Sequence, residues 1–240
     1  MALLGEVKAT SDLSREDTER MFELMDLHFD GMDRSRFDAD LKEKETVLTL
    51  RHPDDMTIQG FSTSMCIDTD VDGVPVRAIY SGDTIINREY WGEKTLGTIW
   101  LRHVLNVQQS CPERRVFWFL ISMGYKTYRL MRLFFKDYWP RYSAETPSFE
   151  QSLIDHLGNA KFGDNYKSEG GIITFGGTRE KLRCGVADVD EARRKDRDIA
   201  FFVNRNPGWM NGDELVCVAE IHPDNLRPRM WRIFKLDKQE

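Results

Sequence analysis

Long apolar runs are what this chain has least of. The longest, Val116 to Met123, falls far short of the roughly 20 apolar residues that a membrane-crossing helix needs. The N-terminus lacks the charged, then apolar, then small-residue order of a secretory leader. A soluble, cytoplasmic protein without a membrane span is expected. Cysteine is equally thin: Cys66, Cys111, Cys184 and Cys217 stand far apart with no CxxC or zinc-ligand spacing, as reduced thiols do in a reducing compartment. The five histidines, His28, His52, His103, His156 and His222, show no paired ligand spacing either. His28 and His103 fall within helical patterns, where packing or surface roles are the ordinary ones, and no metal is called for. A basic excess is also missing. With 34 Lys and Arg against 40 Asp and Glu, net −6, nucleic-acid binding through bulk positive charge is excluded, and an acidic partner would have to meet a local basic patch. There is no internal repeat and no low-complexity tract.

What is present is enough for a large core. A chain of 240 residues buries about 70–75% of its unfolded surface on folding. Ser14 with Asp17 has the form of a capping box, and Met21, Leu24, Met25, His28 and Phe29 share one face, which predicts a helix over 15–29. A short helix over 33–44 follows, then strands at Thr46–Leu50 and Met56–Cys66. Asp72-Gly73 is the dipeptide of a tight hairpin leading into Val76–Ile86, so that three antiparallel strands result. A helix near 95–109, a strand at Val116–Ser122 apolar enough to be buried on both faces, and a helix over 125–138 complete the first half. Pro140 and Pro147 mark the boundary between residues 1–145 and 146–240, two halves of what is expected to be one continuous domain. In the second half the pattern predicts helices near 148–158 and 189–197 and strands at Gly171–Phe175, Ile199–Val203 and Glu214–Ile221. The fold class expected is α/β (α+β).

The segment that points to a site joins the strand Val76–Ile86 to the helix near 95 through Asn87-Arg-Glu-Tyr-Trp-Gly-Glu-Lys-Thr-Leu-Gly97. A strand, a glycine-bearing turn and a helix N-terminus in that order aim backbone N–H groups and the positive helix end at one spot, as a phosphate-bearing ligand requires.

This element order, over roughly residues 10–140, resembles the GNAT superfamily of N-acyltransferases, and Glu89-Tyr-Trp-Gly-Glu-Lys-Thr-Leu-Gly97 resembles its pyrophosphate loop. The resemblance implies a mixed, mainly antiparallel sheet flanked by helices, with a C-terminal α/β extension that completes the sheet and the acceptor cleft. It also implies acyl-CoA or acyl-phosphopantetheine as co-substrate. Tyr90, Trp91, Gly92, Glu93, Lys94 and Gly97 would form the loop, and Ile85, Ile86, Asn87 and Ser122 would flank the pantetheine arm where two strands splay. Trp91 and Lys94 depart from the usual loop residues. Members akin to this, the acyl-homoserine-lactone autoinducer synthases and the N-acyl amino acid synthases, take acyl groups from acyl carrier protein. Lys126, Arg129, Arg132 and Lys136, at offsets of three, six and ten on one helix face, would then meet an acidic carrier or a nucleotide phosphate, or else form a solvated face.

Acyl transfer to an amine needs a base, stabilisation of the carbonyl oxygen and protonation of the thiolate. By the resemblance, Asp83 is the candidate base, directly or through water, and Tyr128 the candidate general acid, with Tyr125 as its competitor. An inward-facing carboxylate partnered by neighbouring backbone, and tyrosines that merely pack, are the plainer alternatives. Ser81 and Ser122 are candidate channel residues. Asp68-x-Asp70-x-Asp72-Gly73 imitates the opening of a calcium loop, but its twelfth position is Ile79. Gly171–Thr178 imitates a P-loop until Gly177 stands in place of the lysine. The activity expected is acyl transfer to a small-molecule or peptide amine, and the alternative is a non-catalytic acyl-thioester sensor or carrier-binding module of the same fold.

Overall fold

A computed structural model describes residues 2–233 of the chain. It opens with an edge strand, Leu4–Ala9 (β1), that the sequence pattern does not flag, since its residues are nearly all exposed and include Glu6 and Lys8. Helix Arg15–Asp26 (α1) starts at Ser14, where the capping box with Asp17 is formed. Then come Phe29–Asp30 (β2), Arg34–Glu43 (α2), Thr46–Arg51 (β3), Ile58–Val71 (β4) and Val74–Ile86 (β5). The β4–β5 turn has Asp72 at φ 52° and Gly73 at φ 77°, the left-handed pair that a tight hairpin demands. Helix Thr95–Gln109 (α3), strand Arg115–Ser122 (β6) and helix Tyr125–Phe134 (α4) follow. The second half contributes Ser148–Phe162 (α5), Tyr166–Lys167 (β7), Ile172–Ile173 (β8), Lys181–Leu182 (β9), Glu191–Arg194 (α6), Arg197–Arg205 (α7), Glu214–Glu220 (β10) and Pro228–Ile233 (α8).

The main sheet runs β1-β3-β4-β5-β6-β10-β8-β7, with β2 and β9 pairing apart from it. Every neighbouring pair in this order is antiparallel except β5–β6, which is parallel. The class expected from the sequence is therefore the one found: a mixed, mainly antiparallel sheet flanked by helices. One face carries α3, α4 and α7 on Leu48, Ile79, Trp118 and Leu120. The other carries α5 on Tyr80, Phe119 and Val216 and, beside it, α1 and α2 on Val47, Phe61 and Ile85.

Several sequence expectations fail here. The first helix ends at Asp26 rather than 29, and Phe29 pairs with Leu182 in β2. Ile199–Val203 is helical, inside α7, because Ile199, Phe202 and Val203 are spaced to bury one helix face and Asp196 caps the N-terminus by accepting from the Asp198 N–H. Its β-branched and aromatic composition imitates a strand. Helix α4 stops at Phe134 rather than 138, since Phe135 is extended and the chain continues as isolated bridges, Phe135 to Leu226 and Trp139 to Val218.

The feature that positions the site is a bulge. Ser64 pairs with Ser81 and Ser62 with Thr84, so Gly82 and Asp83 on β5 stand opposite Thr63 alone on β4. Such an extra residue bends its strand. The parallel ladder from β5 to β6 runs from Val76–Arg115 to Ser81–Leu120 and ends there. Beyond it β5 stays with β4 as far as Gly60–Ile86, and the end of β6 pairs with β10 as Ser122–Leu215. Glycine is needed at the bulge: a Cβ on Gly82 would lie 2.6 Å from Thr63 Oγ1 and 2.8 Å from Lys44 Cε.

Candidate functional site

Where β5 and β6 part, a cavity of about 700 Å³ opens, lined from β5 by Gly82, Asp83, Thr84, Ile85 and Ile86 and from the β6–α4 turn by Met123 and Gly124. Its volume is in the range of small-ligand sites. The wall is completed by α1 (Met25, then His28 just past its end), by α2 (Asp40, Glu43, Lys44), by Lys126 and Leu130 of α4, and by Lys161 of α5. Arg179 and Glu180, before β9, and Glu214, at the start of β10, close it from the C-terminal half. Ion pairs hold part of this wall: Lys161 Nζ lies 3.1 Å from Glu43, Arg179 3.7 Å from Asp40, and Arg36 donates to Glu180 at 3.0 Å. Lys44 Nζ donates to the Asp40 carbonyl at 2.9 Å.

The carboxyl groups of Asp83 and Glu214 have no hydrogen bond or ion pair among the described residues. Burial pushes the Asp83 carboxyl up to about 6, with the Lys44 ammonium opposing and Asp40 and Glu180 adding to the rise. Burial, with Glu180 and Asp83 close by, pushes Glu214 up to about 8. At neutral pH Asp83 is a carboxylate able to accept a proton, while Glu214 keeps its own. Two carboxyl groups in one cavity titrating on opposite sides of neutrality is an arrangement suited to proton transfer. Lys44 shifts downward, chiefly through burial and then through Lys161.

His28 is almost fully buried, and its Nδ1–H donates to the Leu24 carbonyl at 2.8 Å. Burial lowers its pKa, as do the nearby Arg88 and Lys126 cations. The imidazole is thus neutral at pH 7 with its lone pair on Nε2, and that atom has no partner.

The sequence-derived site residues divide. Asp83, Ile85, Ile86, Trp91, Gly92 and Lys126 line the cavity, whereas Asn87, Tyr90, Glu93, Lys94, Gly97 and Ser122 do not. Ser122 Oγ donates to the Gly124 carbonyl and Asn87 Nδ2 to Gln59. The phosphate cradle expected at the start of α3 is filled by the chain itself: Glu93 accepts from the Lys94 N–H at 2.9 Å, the Thr95 N–H at 3.1 Å and the Thr95 hydroxyl at 2.6 Å. A carboxylate one residue ahead of a helix N-terminus takes the place an anion would occupy. Trp91 also closes on the groove, its indole donating to the Ile86 carbonyl at 2.9 Å with Lys126 Nζ 3.8 Å from its ring centroid.

Tyr128 is a core residue in this structure. It is fully buried, its hydroxyl donates to the Pro140 carbonyl at 3.0 Å, burial holds its pKa far above the ordinary range, and it lies off the cavity. Tyr125 is buried in the same cluster. Ser81 accepts from the indoles of Trp100 and Trp118. The basic face of α4 turns to its own chain: Arg129 pairs with Asp196 and Arg132 with the fully buried Asp198, while Lys136, beyond the helix end, donates to the Asp224 carbonyl. Sequence reasoning missed Asp40, Lys44, Lys161, Arg179, Glu180 and Glu214, which come from four separate segments, α2, α5, the stretch before β9 and the start of β10, and form no motif. His28 did carry a signal, a polar residue on the apolar stripe of α1.

No family model matches the chain, and no curated protein does. Among solved structures it is similar to glucosamine-6-phosphate N-acetyltransferase from Arabidopsis thaliana, at 15% identity over 49% of this chain and 81% of that one, with a TM-score of 0.36. It is similar also to the GNAT family N-acetyltransferase YhbS from Escherichia coli in complex with CoA, at 13% identity over 56% and 70%, TM-score 0.39. A third is Saccharomyces cerevisiae N-myristoyltransferase with bound myristoyl-CoA, at 12% identity over 51% and 32%, TM-score 0.38. No helix among the described residues is long and apolar enough to cross a membrane.

Proposed function

We propose that the protein transfers an acyl group from a thioester to an amine in the cavity between β5 and β6. The observation that carries this reading is the bulge at Gly82–Asp83, which ends the β5–β6 ladder and leaves a carboxylate without a partner beside the freed strand edge. Freed backbone groups suit the amides of a pantetheine arm, and Asp83 suits the base. The amine nitrogen bonds to the thioester carbonyl carbon, and the C–S bond breaks. The proton lost from nitrogen passes to Asp83, and the departing thiolate regains a proton from it, so charge balances. Holding both reactants in one cavity supplies much of the rate.

The donor is acyl-CoA or acyl-phosphopantetheine on acyl carrier protein. Glu93 in the α3 cradle and Trp91 over Ile86 favour a donor held by its arm rather than by its diphosphate. The same filled cradle favours a second reading, a thioester-binding sensor without turnover. Free-thiol release from acyl-CoA and from acyl-loaded carrier protein, measured with a panel of amines, separates them. Thiol release that needs an amine supports the transferase, and binding without release under any pairing supports the sensor. Charge reversal at Arg129 slows only the carrier-dependent rate if the carrier docks on α4.

A further inference from the structure

The cavity is lined by five carboxyl groups, Asp40, Glu43, Asp83, Glu180 and Glu214, against four basic side chains, Lys44, Lys126, Lys161 and Arg179. Asp40, Glu43 and Glu180 are engaged by Arg179, Lys161 and Arg36 respectively. Lys44 gives a hydrogen bond to the Asp40 carbonyl. Asp83 and Glu214 are left without a hydrogen bond or ion pair among the described residues, in positions half-withdrawn from water. Half-buried carboxylates are ordinarily paired. The cavity also holds an unmet neutral acceptor, beside Trp91. His28 is 3% exposed and lines this cavity, and its Nδ1 is tied back to α1, so Nε2 lies on the side of the ring away from that bond with no donor to satisfy it. A buried acceptor left unmet is costly unless a ligand meets it. Asp83 and His28 Nε2 accept as they stand, and Glu214 accepts once it gives up its proton.

Building on the acyl-transfer reading, we infer that the acceptor is a diamine or polyamine, with one nitrogen presented at Asp83 for acylation and a second, kept as ammonium, bound at Glu214. The bound ammonium gives Glu214 the ion pair that it lacks. It also draws Glu214 into its ionised form, so binding releases a proton near pH 7. A neutral alkylamine leaves Glu214 unanswered, and an amino acid that places a carboxylate there meets like charge.

The test compares 1,4-diaminobutane, n-butylamine and 4-aminobutanoate as acceptors with one acyl donor. The diamine is expected to have the highest kcat/KM, about 10- to 100-fold above butylamine, the size of one charged hydrogen-bonded contact. 4-Aminobutanoate is expected to be the poorest. Glu214→Gln should bring the diamine down to the butylamine value. Equal rates for diamine and butylamine, or a preference for 4-aminobutanoate, overturn the inference while leaving acyl transfer standing. Calorimetry of 1,4-diaminobutane without donor decides the matter apart from turnover. Binding with proton release, lost in Glu214→Gln, supports the cationic acceptor even if no thiol is ever released, in which case the acyl-transfer reading alone falls. No detectable diamine binding at millimolar concentration, with or without turnover of other amines, contradicts it.

Discussion

Asp17 near the start of α1 and Asp83 on the β5 bulge are both partly buried carboxylates, yet they titrate about four units apart. Burial alone would raise both. At Asp17 it is overcome by Arg51 at 2.9 Å and Lys8 at 3.3 Å, with the Ser14 N–H adding a hydrogen bond, and the group is held down at about 2. At Asp83 Lys44 acts only through its field and burial wins. Glu214, facing Glu180 and Asp83 with Arg179 as its opposing charge, lies higher still. The chain therefore has the means to pair a carboxylate fully and does so where the role is structural. In the cavity it leaves two unpaired, which lowers stability and keeps them free for a ligand.

The sharpest way to break this contrast is to neutralise Asp83. If it is the base, Asp83→Asn lowers acyl transfer by about 10²- to 10⁴-fold with donor affinity nearly unchanged, as single-turnover thiol release and equilibrium titration would show. Gly82→Ala comes next. Its Cβ meets the Thr63 and Lys44 side chains within 2.8 Å, so those side chains or the bulge must move, at about 1–3 kcal/mol in denaturant unfolding, with lost turnover if the bulge shifts and sets the site. Removing the contrasting carboxylate should act on stability and leave chemistry alone. The stabilisation from Asp17, with a folded pKa of about 2 against an ordinary 3.8, is present above about pH 4 and lost as pH falls through 2. Asp17→Asn should therefore destabilise by about 1–3 kcal/mol at pH 7 and by little near pH 2. A loss that persists undiminished in acid would mean that packing, not charge, is involved.

Glu214 gives an oppositely signed effect. Its folded pKa of about 8 lies above the ordinary 4.5, so the folded state keeps a proton that the unfolded chain releases, and stability declines as pH rises between those values. Glu214→Gln escapes that decline. Its Tm should match wild type near pH 5 and exceed it by a growing margin toward pH 8.5, at roughly 2–4 °C per kcal/mol for a chain of this size. A difference that does not grow with pH would remove the strained carboxyl from the account.

How far the sequence could be read follows from the range of each signal. Helices α1 and α3, the Asp72-Gly73 hairpin and the apolar strand β6 are legible because capping, turn chemistry and hydrophobic period act between near neighbours. Strand β1 is not, because an edge strand with charged, exposed residues hides its alternation. Helix α7 is misread because Ile199, Phe201, Phe202 and Val203 suit either period, and Asp196 at the cap decides between them. In the site, Asp83 stands out as a lone carboxylate in an apolar strand, but the bulge that frees it depends on the β4–β5 register shift at Thr63, which no local pattern encodes. Glu93 shows the limit of motif reading. The loop has the turn, the glycine and the helix start expected of a phosphate cradle, and its own carboxylate fills it.

The most direct test of the central claim, an unpaired Asp83 acting as base where β5 leaves β6, is the pH dependence of amine-stimulated thiol release in wild type and Asp83→Asn. The account predicts a wild-type kcat/KM that rises to a plateau through an apparent pKa near 6, and a variant whose residual rate lacks that limb. The same limb in both proteins, or wild-type activity undiminished at pH 4.5, would contradict it.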